Sequence, residues 1–107
     1  MLIRIWRVNI VPERIGDLED FANTYSLPMF RMQAGCLGVL FTRDGYNCAV
    51  ISIWENMQAI EKLKASPSYN DTVEKIADTR MLEGEQSVEI FEAFGGFLGY
   101  DEIAKSL

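Results

Sequence analysis

The sequence predicts an α+β protein, a ferredoxin-like βαββαβ domain with one antiparallel sheet, and three observations lead to this prediction. Residues 37–54 read as two apolar strands joined by a tight turn at Asp44 and Gly45, a dipeptide typical of hairpins. Strand-like segments rich in β-branched residues stand near both ends of the chain, at residues 2–10 and 88–91. Apolar residues at helical spacing occupy the two gaps between these outer strands and the hairpin. The order of elements is therefore strand, helix, strand, strand, helix, strand.

The first half of the chain supplies the first strand and a helical segment. Pro12 suits the first turn of a helix, where a backbone N–H has no acceptor within the helix, so the N–H that proline lacks costs no hydrogen bond. Residues 27–32 break the helical spacing that precedes them, so we expect a kink or a second short helix before Gly35. The apolar residues at helical spacing before that break are Ile15, Leu18, Ala22 and Tyr25, with Phe21 beside them.

The hairpin is apolar on both faces, because side chains alternate across a strand. On its second strand, Val50 and Trp54 point to one face, and Ile51 and Ile53 point to the other. A chain of 107 residues is too short to cover both faces of a sheet with helices. We therefore expect a homodimer that buries the second apolar face.

We expect Cys36 and Cys48 to be reduced, buried residues. A two-residue turn at positions 44–45 would set Cys36 opposite Ile53 and Cys48 opposite Phe41. The two sulfurs would then lie about 17 Å apart at the rise of a strand, which is outside disulfide range.

The second half of the chain predicts two capped helices and a last strand. Asn56 is a good N-cap for a helix through Leu63, and Ser66 followed by Pro67 begins the next helix. Residues 83–85 read as a turn before the last strand. The apolar face of the second helix carries Tyr69, Val73, Ile76 and Ala77.

Composition bounds the partners and the location of the protein. The chain has 10 basic and 16 acidic residues, a formal charge of −6, so we expect no nucleic acid or anionic membrane as a partner, and an uncharged or cationic small molecule instead. No apolar run approaches the ~20 residues of a membrane span, and the N-terminus has no cleavable leader, so we expect a cytoplasmic protein. Length predicts one domain over residues 1–96 and a tail over residues 97–107, which packs on the body or on a partner.

The lack of histidine narrows the possible chemistry. The sequence contains no His, which removes the usual general base near neutral pH and every Ser-His or Cys-His nucleophile pair. Two separated cysteines and dispersed carboxylates have no spacing typical of a metal site, so we expect no metal. Gly95, Gly96 and Gly99 lack the spacing of a dinucleotide fingerprint, so we expect no such cofactor.

Four short segments resemble the antibiotic biosynthesis monooxygenase superfamily: residues 35–38 (Gly-Cys-Leu-Gly), 52–55 (Ser-Ile-Trp-Glu), 58–59 (Gln-Ala) and 66–73. The resemblance implies a dimeric α/β barrel, in which two ferredoxin-like sheets pack together, with a cavity in each subunit between sheet and helices. Activities known in the superfamily include cofactor-free oxidation of phenolic polyketides by dioxygen, quinol oxidation and haem degradation.

The residues that two branches of the superfamily use are absent here. The polyketide-oxidising branch has an asparagine before the motif tryptophan and a tyrosine after it, at positions that hold Val50 and Ile60 in this chain. The haem-degrading branch has asparagine, tryptophan and histidine where this chain has Arg7, Leu63 and Val73. We therefore expect haem to be neither a cofactor nor a substrate.

The candidate site is aromatic. We predict a substrate-binding set of Trp54 and Val50 at a pocket mouth, Tyr69 and Phe30 beside them, and Arg7 at the rim to hold an anionic or phenolate group. A solvated Arg7 is the alternative, and aromatic residues at this spacing also fill an ordinary core. The wider aromatic set is Trp6, Phe30, Phe41, Trp54, Tyr69 and Phe91.

Two functions of different class remain open. The first is cofactor-independent oxygenation of a small electron-rich aromatic compound of the phenol or quinol type, which can supply reducing power once it is deprotonated and shielded from water. The second is a dimeric protein that binds a small apolar or aromatic ligand without catalysis. Turnover of a phenolic substrate separates them.

Overall fold

The fold is built on one antiparallel sheet. The computed structural model describes residues 1–107 and contains a four-stranded sheet. Its strands are β1 (Leu2–Ile10), β2 (Cys36–Asp44), β3 (Asn47–Trp54) and β4 (Leu82–Glu92), in the spatial order β2-β3-β1-β4. β1 lies between β3 and β4 and pairs antiparallel with both. The predicted α+β, ferredoxin-like architecture is confirmed.

Five α-helices accompany the sheet, and two of them begin at the predicted caps. They are α1 (Ile15–Phe21), α2 (Leu27–Met32), α3 (Met57–Lys64), α4 (Pro67–Asp78) and α5 (Tyr100–Ser106). The Asn56 side chain accepts a hydrogen bond from the Ala59 N–H at 3.0 Å, and Ser66 Oγ accepts one from the Tyr69 N–H at 3.4 Å. None of the helices has the length and apolar character to cross a membrane.

The predicted break before α2 is a π-helical stretch, Ala22–Ser26. The Leu27 N–H donates to the Ala22 carbonyl, five residues back, so this turn is wider than an α-helical turn. The wider turn explains why residues 27–32 fall out of phase with the apolar spacing of the preceding helix.

The hairpin turn differs from the predicted one. Asp44 pairs with Asn47, so the turn residues are Gly45 and Tyr46, and the register is displaced by two residues. From Gly38 to Asp44 this displacement of two residues leaves every side chain on its predicted face. An irregularity between Cys36 and Gly38 changes the register by one residue, so Cys36 pairs with Trp54 and not with the predicted Ile53.

The predicted turn at residues 83–85 is wrong, because β4 already begins at Leu82. The pairing of β4 with β1 shifts between Arg7 and Asn9, next to a bulge in which Gly84 has a φ of +80°. A glycine in this conformation resembles a turn signal in the sequence, whereas here it bends a continuous strand.

Cys36 and Cys48 are free thiols, as predicted; Cys48 is buried, whereas Cys36 is only half-buried. Cys36 pairs with Trp54, and Cys48 pairs with Arg43 near the other end of the hairpin. Burial raises the pKa of both thiols, which disfavours the thiolate, the nucleophilic form.

The two faces of the sheet have different surroundings. The face under the helices is the core, whose largest wholly buried residues are Trp54, Ile10, Ile60, Leu63 and Met81. No helix of the chain covers the opposite face, which we call the bare face, and an ion pair of 3.1 Å between Arg7 and Glu89 lies on it. The apolar side chains of the bare face are Ile3, Ile5, Leu40, Ala49, Ile51, Ile53 and Phe91.

The predicted tail, residues 97–107, contains α5, and every residue of this helix is exposed. Phe94 and Phe97 precede it and are also exposed. The domain boundary at residue 96 stays a prediction.

Gly35 makes a close contact between the sheet and α3, which gives a test of the packing. Its φ is +80°, and an added Cβ would lie 2.5 Å from Ala59 Cβ. Replacing Gly35 by Ala should lower the free energy of unfolding by about 1–3 kcal/mol, because backbone strain adds to overpacking.

The matched control is Gly16→Ala in α1, where no atom lies within 4 Å of the added Cβ. This variant should have unchanged or slightly raised stability, since Ala is the better helix former. Denaturant unfolding measures both variants, and equal stabilities would contradict the contact with α3.

Candidate functional site

A cavity with two adjoining lobes lies between the helices and the sheet. The lobe that contains Arg4, which we call the inner lobe, has a volume of about 220 Å³, and the adjoining lobe beside α1 and β2, which we call the outer lobe, has a volume of about 450 Å³; both open to solvent. A space of this size and apolar lining suits a small molecule. The residues that line both lobes are Trp6, Phe21, Ser26, Phe41, Val50 and Ile76.

The inner lobe is aromatic with a short polar edge. Five elements, β1, α1, α2, β2 and α4, each contribute one aromatic ring to it. At the polar edge, Trp6 Nε1 donates a hydrogen bond to Gln86 Oε1 at 3.0 Å. Arg4 is the only charged residue of the lining. The rings are those of Trp6, Phe21, Phe30, Phe41 and Tyr69.

Arg4 is buried in this lobe, with 5% of its surface exposed. Its Nη2 donates to the Tyr69 hydroxyl at 3.0 Å, and its guanidinium carbon lies 5.7 Å from the centroid of the Tyr69 ring. The Nε atom is buried without a hydrogen-bond partner, and none of the three ion pairs of the protein includes Arg4. The lobe therefore holds a positive charge that no carboxylate neutralises.

Trp54 does not lie at a pocket mouth, so this placement is corrected. It is completely buried and lines neither lobe. Its Nε1 donates to Ser52 Oγ at 2.8 Å, and Ser52 Oγ donates to the Arg4 carbonyl at 3.4 Å, so the indole ties β3 to β1. The Phe30 ring packs beside it, with centroids 6.4 Å apart. Trp54 is a core residue next to the cavity.

Arg7 lines neither lobe, so its predicted place at the rim of the aromatic pocket is corrected; it lines a separate, polar recess of about 640 Å³ instead. It shares a face of β1 with Ile3 and Ile5, as the sequence indicates, but this is the bare face. Because both faces of β1 are apolar, alternation alone did not show which one the helices cover. Arg4, on the face of Trp6, occupies the position that was predicted for Arg7.

The structure brings together the other three predicted residues, Tyr69, Phe30 and Val50, in the inner lobe. Sequence reasoning missed Arg4, although its position two residues before Trp6 on one strand face was a usable signal. Of the wider aromatic set, Trp6 and Phe41 line the lobe, whereas Phe91 lies on the bare face.

The outer lobe opens beside α1 and β2. Its charged side chains are Arg31, Arg43 and Glu19, and neither arginine has an ion-pair partner. Leu107, the last residue of the chain, also lines it.

Comparison of the chain with known proteins identifies its fold. No protein-family model and no curated protein matches the sequence. A monooxygenase of Streptomyces coelicolor, solved with the ligand nanaomycin D, aligns with a TM-score of 0.77 at 19% identity, over 91% of this chain and 90% of its own. The protein has the antibiotic biosynthesis monooxygenase fold.

Two further solved structures have the same fold. An antibiotic biosynthesis monooxygenase aligns with a TM-score of 0.73 at 19% identity, over 89% of this chain and 100% of its own. The protein Rv0793 of Mycobacterium tuberculosis aligns with a TM-score of 0.72 at 15% identity, over 89% of this chain and 96% of its own. The resemblance to the superfamily is thus confirmed at the level of the fold.

The motif residues that resemble the monooxygenase superfamily build the framework of this fold. Ser52 and Trp54 form the buried hydrogen bond between strands, and Gly35 packs on Ala59. The structure brings no three His, Cys, Asp or Glu side chains into a group that could hold a metal ion.

The buried position of Trp54 predicts a large effect on stability. Trp54→Ala should lower the free energy of unfolding by about 3–5 kcal/mol, because it leaves a cavity in the core. Phe94→Ala, which removes an exposed ring, is the control and should leave stability unchanged. Thermal and denaturant unfolding measure the stability of both variants. A Trp54→Ala variant as stable as the original protein would contradict the buried position of Trp54 and support its predicted place at the pocket mouth.

Proposed function

We propose that the protein is a cofactor-independent monooxygenase that uses dioxygen to oxidise a small electron-rich aromatic compound of the phenol or quinol type. The observation that carries this proposal is the aromatic inner lobe with Arg4 and Tyr69 at its polar edge. Flat rings suit such a lining, and one hydrogen-bonding pair suffices to orient a hydroxyl group. The monooxygenase neighbour that holds nanaomycin D supports the same use of the fold.

The reaction needs no electron source beyond the substrate. For an anthrone, R₂CH₂ + O₂ gives R₂C=O + H₂O: two C–H bonds break, one oxygen atom enters the new carbonyl and the other leaves as water. The Tyr69 hydroxyl and the Arg4 guanidinium bind the phenolic oxygen, which orients the ring and favours its electron-rich anion. The aromatic lining offers faces on which the flat substrate ring can stack.

Aerobic incubation with a panel of anthrones, quinols and catechols tests the proposal. We expect oxygen uptake and product spectra with at least one compound. Tyr69→Phe should lower kcat/KM about 10-fold, because one hydrogen bond to the substrate is lost. Tyr46→Phe removes an exposed hydroxyl in the hairpin turn and should leave the rate unchanged. Equal rates for the two variants would contradict a role for Tyr69.

The second candidate is a binding protein without catalysis. The observation that favours it is the lining of the inner lobe, which contains no His, Asp, Glu or Cys and therefore no conventional general base. Saturable binding of an unreacted aromatic ligand, with no turnover across the panel, would support this candidate.

We also propose that the protein is a homodimer formed through the bare face. The apolar side chains of Ile3, Ile51 and Ile53 lie together there, because Ile3 pairs with Ile53 and Ile5 pairs with Ile51 across the strands. Polar residues border this patch at the end of β1, where Arg7 pairs with Glu89. An apolar centre with a polar rim is the arrangement of protein interfaces.

Ile51→Asp should disrupt this dimer, because it would bury an unpaired carboxylate in the interface at a cost of several kcal/mol. Sedimentation at low micromolar concentration should give about twice the chain mass of 12.2 kDa for the original protein and for the control Ile51→Val. A monomeric original protein, or an unaffected Ile51→Asp dimer, would contradict the proposed interface.

We also propose that the protein is cytoplasmic. Its two cysteines are free, which suits a reducing compartment. Fractionation of the source cells tests this location.

A further inference from the structure

The inner lobe holds a buried cation, and we propose that its ligand carries a negatively charged oxygen, a carboxylate or a phenolate, on an aromatic body. The inference deepens the proposed function, since it rests on that function's use of this cavity for the substrate. It adds that the ligand is already charged when it binds, as a carboxylate or a phenolate, and that Arg4 selects the charged form over a neutral ligand of the same shape.

The energetics of Arg4 are the first argument. Burial of a charged group is costly unless the group is paired and hydrogen-bonded. Arg4 has 5% exposure, one hydrogen bond to Tyr69 and an Nε without a partner. The buried guanidinium therefore has a desolvation cost that no carboxylate of the protein compensates. An anionic oxygen bound beside the guanidinium would offset it and would form charge-assisted hydrogen bonds.

The distribution of charge around the cavity is the second argument. Arg31 and Arg43 line the outer lobe without ion-pair partners, but both are exposed, and the Glu19 side chain and the terminal carboxylate of Leu107 line the same lobe. The buried charge of the cavity is thus that of Arg4 alone, and it is positive although the chain has a formal charge of −6. The overall charge, which alone favours an uncharged or cationic ligand, acts at long range and is screened by salt, whereas Arg4 acts at contact.

The lining also bounds the rest of the ligand. The lobe has a single charged group, the Arg4 guanidinium, with the Tyr69 hydroxyl bonded to it, which matches one charged oxygen group. The other polar residues of the lining, Ser26, Thr72 and Gln86, are uncharged, and the rest of the surface is apolar and aromatic. A cationic ligand would be repelled by Arg4, and a multiply charged phosphate would meet only one positive charge.

Isosteric ligands on the unaltered protein give the first test. We expect 2-naphthoate to bind about 10- to 100-fold more tightly than 2-naphthamide, which has the same shape without the charge. Calorimetry or quenching of tryptophan fluorescence measures both. Affinities within about two-fold of each other would overturn the carboxylate form of the inference.

4-Nitrophenol tests the phenolate form, since it ionises near neutral pH. Its affinity should rise as the pH passes its own ionisation. The inference as a whole is overturned if the affinity for 4-nitrophenol does not change with pH and the two naphthalene ligands bind equally well. If only one of the two experiments shows a preference for the anion, that experiment identifies which oxygen group the site accepts.

Substitution of Arg4 gives the second test. Arg4→Gln should remove the preference for naphthoate over naphthamide, whereas Arg4→Lys should keep part of it. Arg80→Gln changes an exposed arginine outside the cavity and should keep all of it. If Arg4→Gln does not fold, the Arg4→Lys variant and the ligand pair on the original protein still decide the matter. A preference that persists unchanged in a folded Arg4→Gln variant would contradict the role of Arg4.

The outcomes separate this inference from the proposed function. A strong preference for anions without any turnover would support the inference and contradict the monooxygenase. Turnover of neutral quinols with no preference for anions would contradict the inference and leave the monooxygenase standing.

Discussion

The alternation of side chains along β1 governs the rest of the structure. This strand pairs on both sides, with β3 and with β4, so a change of its register would break two ladders of hydrogen bonds. Arg4, Trp6 and Ile10 therefore lie under the helices, and Ile5 and Arg7 lie on the bare face. One strand thus contributes to the core, to the cavity and to the apolar patch of the bare face. The cavity is charged because the position of β1 in the sheet directs Arg4 into it.

The helices between the strands and the order of the elements along the chain were predictable because their signals are local, whereas α5 in the tail was not predicted. Asn56 and Ser66 cap their helices through bonds to residues three positions away. The site was less predictable because it depends on distant contacts. Alternation separates Arg4 from Arg7, but only the packing of α4, which brings Tyr69 to Arg4, shows which of the two faces the cavity. In the same way, Trp54 is buried because α2 packs over it, and this contact between distant segments could not be predicted from the local sequence.

The motif that resembles the monooxygenase superfamily predicted the fold better than the reaction, and the structure supplies the reason. The close approach of Gly35 to Ala59 requires small residues, and the bond from Trp54 to Ser52 requires a donor and an acceptor at fixed positions. Both requirements come from the backbone and apply whatever the cavity binds. Arg4, by contrast, lies outside the motif.

The π-helical stretch Ala22–Ser26 has a consequence for how sequences of different length can share this fold. Such a turn accommodates one more residue than an α-helical turn, so it is equivalent to a one-residue insertion. Deletion of that residue would restore regular α-helix and rotate everything after it by about 100° around the helix axis. Met29 and Phe30, both buried in α2, would then turn away from the sheet. A relative with a regular helix at this point must therefore line its cavity with different side chains. A one-residue gap in an alignment of this segment then indicates a different pocket lining, and not only a difference in chain length.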